Sequence, residues 1–584
     1  MIFVTGNHAL KFGGEIRRTD ARVFFLPLTR GRLAYTGSTL QSFVNDTAAT
    51  ATFNSPLRGG DIVNYYKWYE YYGYFQDEWR IANNFTLTYG LRYEWPGDSF
   101  SYLKANNQRV LAANGNNPGF AYTPQPQTDK NNFMPRIGFN WNPRFSSKGV
   151  MGFLTGGDKL VLRGGYSRTY DANYINLNLN VASSFPFVVA NDIPIATPNS
   201  FVTLQAAVAN PNPVVTNPLT QTRTVVADDF RAPSTDQFSF EVQRELTTNT
   251  VFKTGYIHTR GRGLFQTVDG NPRQSCVYGT AAGQCNTTGF IPGTSTVAPI
   301  VVAPRVDPTR GIIRLRGNFA ESDYHAWQNS LEKRLSQNFS AGLNYTFSRF
   351  IDSASETFNP SNAEVAVSQD SFNLDAEKSR SAFDRPHRLS GNVVYELPWF
   401  KSQQGAWGRL LGGFQVNSFF TFQSGTPFTV LNGSDPAGAL SGISGLVGDA
   451  IRPNLISTVD LSGLTPREIR GLCGTPITGQ PTNLQNGNRC PNLFRLLEPG
   501  ERVGNSPRNL LRSEKLFLVD FGIIKNTRIS ENVRFQVRAD MFNVLNKRNY
   551  GVPIDGRLSS ANFLLDGGVA AGNRRIIVGA RLVF

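Results

Sequence analysis

The chain has 584 residues, 40% of them hydrophobic and only 17% charged, with 55 Gly, 43 Phe and 20 Tyr. Its formal net charge is +15, yet Arg is scattered singly, mostly at the polar phase of alternating segments. Nucleic-acid binders cluster basic residues on a helix or stripe, so nucleic acid is disfavoured as a partner, and no stretch approaches the roughly 18 consecutive apolar residues of a membrane helix. A membrane protein built of strands survives that test, because alternation dilutes its signal.

At the start, Met1-Ile2-Phe3-Val4 runs directly into Gly6-Asn7-His8, with neither a basic region nor an apolar stretch of leader length. For an outer-membrane protein this implies a mis-assigned start or a further portion upstream. Strands are then predicted at Ala9 to Arg17, Arg32 to Tyr35, Tyr65 to Ile81, Phe85 to Trp95, Phe133 to Trp141, Leu160 to Tyr170, Gln237 to Leu246, Val251 to His258, Tyr324 to Leu335, Phe339 to Phe347, Arg388 to Leu397, Phe414 to Phe422, Leu516 to Ile524, Val533 to Phe542 and Arg575 to Phe584. That makes fifteen, with Thr50 to Phe53 as a weak sixteenth.

The last strand shows the pattern most simply. Phe584, Leu582, Ala580, Val578 and Ile576 share one face, and Val583, Arg581, Gly579, Ile577 and Arg575 share the other. Successive side chains of a strand point to opposite faces. An Arg near the bilayer midplane costs roughly 2 to 4 kcal/mol, so the faces carrying Arg92, Glu94, Arg534, Arg538, Asp540 and Arg581 are expected to face a watery lumen.

Connections alternate between tight turns at Ala82 to Asn84, Thr247 to Asn249, Ser336 to Asn338 and Ser530 to Asn532 and long loops at about 97–131, 171–235, 259–323, 351–386, 423–515 and 546–573. Outer-membrane barrels keep short turns in the periplasm and long loops outside. The expectation is one all-β domain, residues 1–584, forming an antiparallel transmembrane β-barrel with extracellular loops.

Cys276 with Cys285 and Cys473 with Cys490 fall as two local pairs in outer loops, which favours two disulfides over four free thiols. No Cys-x-x-Cys occurs, and His8, His258, His325 and His387 lie on separate segments, so neither a metal site nor a cofactor is expected. Asp384 beside Arg385, His387 and Arg388 reads as a hydrogen-bonded strand entry, since no nucleophile with an orienting base is nearby; no catalytic residues are expected. Gly261-Arg262-Gly263 reads as a rim turn. The run Tyr65, Tyr66, Trp68, Tyr69, Tyr71, Tyr72 and Tyr74 reads as a membrane-interface girdle in preference to a stacking site. The 171–236 loop and the loop around Cys473 are the expected ligand contacts.

Gly73-Tyr74-Phe75-Gln76-Asp77-Glu78-Trp79-Arg80 followed by Leu87 to Glu94, Asp384-Arg385-Pro386-His387-Arg388, Tyr395-Glu396-Leu397-Pro398, Phe542 to Asn546 and Asn549-Tyr550-Gly551 resemble, in order and spacing, the C-terminal barrel of TonB-dependent outer-membrane receptors of the Oar-like branch. A terminal aromatic such as Phe584 is similar to the signal read by the barrel-assembly machinery. The resemblance implies a Gram-negative outer membrane, a barrel of 22 strands of which 15 to 16 are visible, so N-terminally incomplete, and uptake of an unidentified large solute. The plug and the segment that engages the TonB system are not recognisable here. The competing reading is a plugless passive channel or a surface adhesin.

Overall fold

The computed structural model describes residues 1–35, 40–144, 148–171, 175–193, 199–211, 214–275, 303–355, 367–439, 451–479 and 485–584. Among these residues the main sheet has seventeen strands. Two short ones, Arg223–Val226 and Ser379–Arg380, attach to the sides of others. The remainder form one antiparallel meander: β1 Ile2–Thr5, β2 His8–Phe24, β3 Val63–Ala82, β4 Phe85–Trp95, β5 Asn132–Trp141, β6 Leu160–Tyr170, β7 Ser234–Thr247, β8 Thr250–Asp269, β9 Ile313–Ser336, β10 Phe339–Asp352, β11 His387–Glu396, β12 Phe414–Gln423, β13 Leu516–Arg528, β14 Arg534–Phe542 and β15 Arg575–Val583. Each strand pairs with the next. Among the described residues, no pairing joins β15 to β1.

Register carries the face pattern from strand to strand. Phe521, Met541 and Ile576 share one transverse row and Ile523, Ala539 and Val578 the next, while Ile524, Arg538 and Gly579 and then Asn526, Gln536 and Arg581 line up on the opposite face. Phe75, Leu91, Ile137, Phe240 and Leu343 continue the apolar face, all exposed. A sheet that sends large apolar side chains outward and ion pairs inward suits hydrocarbon outside and water within.

Fourteen of the predicted strands lie in the meander. The exception is Arg32 to Tyr35: Arg32–Ala34 belongs to a separate small sheet with Thr50–Pro56 and Val188–Ile193. Its place is taken by β1, which is too short to show alternation. The 259–323 loop is also corrected, because β8 runs on to Asp269 and β9 begins at Ile313. Gly261-Arg262-Gly263 sits at a bulge within β8 and is no turn, with Gly263 at φ +59°. Beyond the bilayer these strand ends are covered by other segments, residues 265–269 of β8 being buried, so the two faces no longer divide lipid from water and nothing there requires alternation.

One end carries tight turns. Gln337 and Asn338 have φ of 50° and 68°, left-handed at both central positions of a two-residue hairpin, where the turn's twist matches that of the flanking strands. Two connections at this end are longer, residues 142–159 and 397–413, and hold the short helices Gly149–Thr155 and Gly405–Leu411.

The other end is a folded cap. β9 has 24 residues and β3 and β8 have 20 each, whereas a tilted strand crosses a bilayer in roughly 9–11. The upper parts of these strands therefore rise past the apolar band. There Tyr66 and Trp68 of β3 are buried with Leu103 and Val110 of helix Ser101–Ala113, Leu177 of helix Ile175–Ala182, Phe187 and Val225. A second apolar cluster gathers Phe428, Ile469, Phe494, Leu511 and Leu558 around Cys473 and Cys490, which are bonded to each other. Cys276 and Cys285 lie outside the described residues.

Buried ion pairs tie the cap together. Arg452 donates to both oxygens of Glu377 at 2.8 and 3.1 Å, and Arg508 bonds Asp352 at the end of β10. Arg305 holds Asp269 at 3.0 Å, and Arg512 pairs with Asp384. Burial keeps the Asp269 carboxyl above its usual range despite the guanidinium beside it.

Two outcomes follow from this division into band and cap. Leu343→Arg, on the outward face of β10, should cost about 2–4 kcal/mol in urea unfolding from lipid vesicles, while its inward neighbour Asn344→Arg should change stability little; equal costs would refute the assignment of faces. Arg452→Ala takes from buried Glu377 its bidentate partner, leaving Arg508 3.9 Å away as the nearest cation, and should cost the cap about 3–5 kcal/mol. Amide hydrogen exchange should then quicken around residues 367–380 and 451–456 while β13 and β14 stay protected.

Candidate functional site

The polar face of the sheet is the first candidate surface. Its charges sit at alternate positions and pair across or along strands: Lys253 with Glu332 at 3.0 Å, Lys159 with Glu245 at 3.0 Å and Arg538 with Asp540 at 2.7 Å. Arg92 pairs with Glu94 two residues along β4. An open concavity of about 620 Å³ lies on this face over β6 to β10, lined by Arg163, Gln237, Glu241, Lys253, Gln328 and Asn344. A neighbouring one of about 420 Å³ is lined by Gln76, Thr88, Arg136, Ser167 and Gln237. The first holds an ion pair, Arg163 with Glu241 at 3.7 Å, among neutral amides, and the second a single arginine, Arg136, among neutral polar groups.

Arg534 and Arg581 share the inner face with Arg538 and Asp540, as the register of β13 to β15 requires. Phe584 lies just past β15 and is 93% exposed.

The cap is the second candidate surface. The 171–236 connection packs into it: Leu177, Val181, Phe187, Val225 and Val226 belong to its core. Arg223 is buried against the Phe185 ring, with its centroid 5.1 Å away, and donates to the carbonyls of Gly119 and Pro218 at 3.2 and 2.9 Å. Burial lowers this guanidinium to about 10. The Cys473 connection is fixed by the disulfide and by helix Pro466–Leu472, whose N-terminus is closed by reciprocal Thr465 and Glu468 bonds.

The tyrosine run divides between two environments. Tyr65, Tyr69 and Tyr71 point outward and are exposed, Tyr71 stacking on Trp95 at 5.1 Å. Tyr66 and Trp68 point inward into the cap core, where Trp68 Nε1 donates to Glu70 at 2.9 Å. Asp384 accepts the Phe350 amide at 2.7 Å and fixes the entry to β11.

The histidines, scattered in sequence, fall on the outward face. His8 Nδ1 lies 2.7 Å from Asp77, whose other partner is the Tyr89 hydroxyl at 2.9 Å. His387 meets the Tyr345 hydroxyl at 2.9 Å. His258 of β8 and His325 of β9 stand directly opposite each other, rings stacked 4.3 Å apart, both reaching Asp323. Only the register of two long strands brings these three together; an Asp-x-His on an alternating strand was the one local sign.

No curated protein matches the chain. Among solved structures, the outer membrane transporter YddB from Escherichia coli is 12% identical, covering 100% of this chain and 52% of that one, with a TM-score of 0.47. The siderophore receptor PirA from Acinetobacter baumannii is 10% identical, covering 100% and 53%, with a TM-score of 0.44. The FrpB iron transporter from Neisseria meningitidis (F3-3 variant) is 9% identical, covering 100% and 53%, with a TM-score of 0.41. The chain thus spans about half the length of these structures. The family model described as outer membrane beta barrel domain matches residues 1–577. With its apolar outer face, charged inner face and long meander, the chain belongs to this family of barrels of the bacterial outer membrane.

Proposed function

We propose that the chain is the barrel of a TonB-dependent outer-membrane transporter of the Oar-like branch, importing a hydrophilic solute too large for porins. In this reading the cap faces outside and captures the solute, and the polar inner face, with Arg92, Glu94, Arg534, Arg538, Asp540 and Arg581, lines the route or holds a plug by charge pairing. The plug and the segment engaging TonB are assigned to sequence outside these residues. The barrel-assembly machinery reads Phe584, and no chemistry is done on the solute.

The observation that supports the reading is the cap. Its buried apolar clusters and buried ion pairs give the long connections a fixed shape, and selective capture needs a shaped, rigidly held surface. A simple pore needs only an open mouth.

The test compares a strain lacking the gene with a strain lacking TonB, over a panel of iron chelates, oligosaccharides and peptides as sole nutrients. The same growth deficit in both supports energised uptake. A deficit that TonB loss does not reproduce, together with steady conductance in planar bilayers, would establish a passive channel. Loss of surface attachment with no nutrient deficit would establish an adhesin. Independently, Phe584→Ala should lower the amount of protein recovered in the outer membrane several-fold while leaving its synthesis unchanged.

A further inference from the structure

We propose that His258, Asp323 and His325 form a divalent transition-metal site on the outward face of the barrel. Asp323 and His325 are two residues apart on β9 and so share a face, and His258 of β8 is the direct cross-strand partner of His325. Asp323 Oδ1 lies 3.1 Å from His258 Nε2 and 2.6 Å from His325 Nε2. The three ligand atoms all fall within 4.8 Å of one another. The rings are nearly parallel, 6° apart in plane, with both Nε2 atoms turned toward the same carboxylate oxygen. Two imidazoles and one carboxylate converging in this way make a half-shell of donors with the remaining positions open to water.

The outer shell fits as well. A metal-bound histidine usually gives its second ring nitrogen to a fixed partner, which holds the ring in place. The Tyr256 hydroxyl is 2.6 Å from Nδ1 of His325. Without metal, each Nε2–H donates to Asp323 and the Tyr256 hydroxyl donates to Nδ1. On metal binding the ring proton moves to Nδ1, where it donates to the Tyr256 oxygen, and Nε2 is freed to coordinate.

Neighbouring charge limits which ion is held. Arg260 lies opposite Asp323 and Arg349 opposite His325, and Arg260 is itself drawn 3.7 Å from Glu321. Two cations beside a single ligating carboxylate disfavour Ca²⁺ and Mg²⁺, which rely on oxygen ligands and charge. Zn²⁺, Ni²⁺ or Cu²⁺, held through imidazole lone pairs, are the ions this donor set selects.

The site does not belong to the solute route. The transverse row beneath it, Phe240, Tyr256, Trp327 and Phe347, is outward-facing and aromatic, as at a membrane interface. The site therefore stands at the cap-side rim of the apolar band, accessible from the exterior and separated from the lumen by the sheet.

The experiment titrates Zn²⁺ into the untagged full-length protein in detergent, followed by calorimetry, with the Co²⁺ visible spectrum as a second readout. One equivalent per chain is expected, lost in His258→Ala and in His325→Ala, weakened about tenfold in Tyr256→Phe, and kept in His387→Ala, whose imidazole lies elsewhere. Heat-dependent gel mobility checks that each variant is folded. Absence of stoichiometric binding by the parent protein, or its persistence in a folded His258→Ala/His325→Ala double variant, would overturn the proposal and leave a hydrogen-bonded histidine pair with no metal function.

Discussion

A backbone amide inside a bilayer has no water to bond, so every N–H and C=O in the band must find its partner in the ladder. This constraint fixes the connectivity: each strand from β2 to β14 has a neighbour on both sides, and the simplest way to achieve that is a meander in which every strand turns back beside the last. It also fixes the sides. Once the ladder sets the register, a single alternating strand imposes its phase on the next, and Arg538, Gln536 and Arg581 fall on one face because Ala539, Val537 and Ala580 fall on the other. Facing the arginines to lipid would cost several kcal/mol per strand, and a one-residue slip would do so for a whole strand at once.

What could be read from the sequence follows the reach of this constraint. β4, β10, β14 and β15 alternate because their two faces meet different media, and their ends match the expected ones to within a residue, except that β10 runs past Phe347 to Asp352. The upper portions of β8 and β9 were not legible, since beyond the band they are covered by the cap, as at the buried residues 265–269, and Gly261, Gly263 and Gly317 interrupt any pattern. β1 is too short for period two to register, and Arg32–Ala34 shows that a few alternating residues do not reveal which sheet they join. Of the candidate site, the inner charges were visible through their phase, whereas the His258 and His325 contact depends on a pairing between residues 67 positions apart and leaves almost no local trace.

The cap obeys different physics. Its backbone can use water at the surface, so its shape is set by what it buries. Glu377, Arg452, Asp352 and Arg508 are each almost fully buried, and burying charges costs several kcal/mol per ion unless each is paired and hydrogen-bonded. Here the pairing is extensive: Arg452 also donates to Ser506 and Arg508 to the Asp352 carbonyl. A network so directional tolerates few alternative packings, and it joins the connection after β10 to the one before β13. The tyrosine run of β3 shows the two regimes meeting in one strand, with Tyr66 and Trp68 turned into this core and Tyr65, Tyr69 and Tyr71 turned out.

The two edges of the sheet complete the same argument. Open edges that nature leaves exposed are blunted by charge, proline, bulges or covering segments, because an unpaired ladder recruits other strands. β1 is blunted by its length of four residues, although Ile2, Phe3 and Val4 are exposed and apolar and its ladder with β2 is regular. β15 keeps its outward face apolar to its end, with Ile576, Val578 and Leu582 exposed, while Ile577 and Val583 stand among the arginines of its inner face. Such edges are pairing surfaces, and in hydrocarbon an unpaired row of amides is not sustainable. A strand that pairs with β15 has to bring apolar side chains to the outward face opposite Ile576, Val578 and Leu582, since that is the phase the ladder passes from β13 to β14 and on to β15.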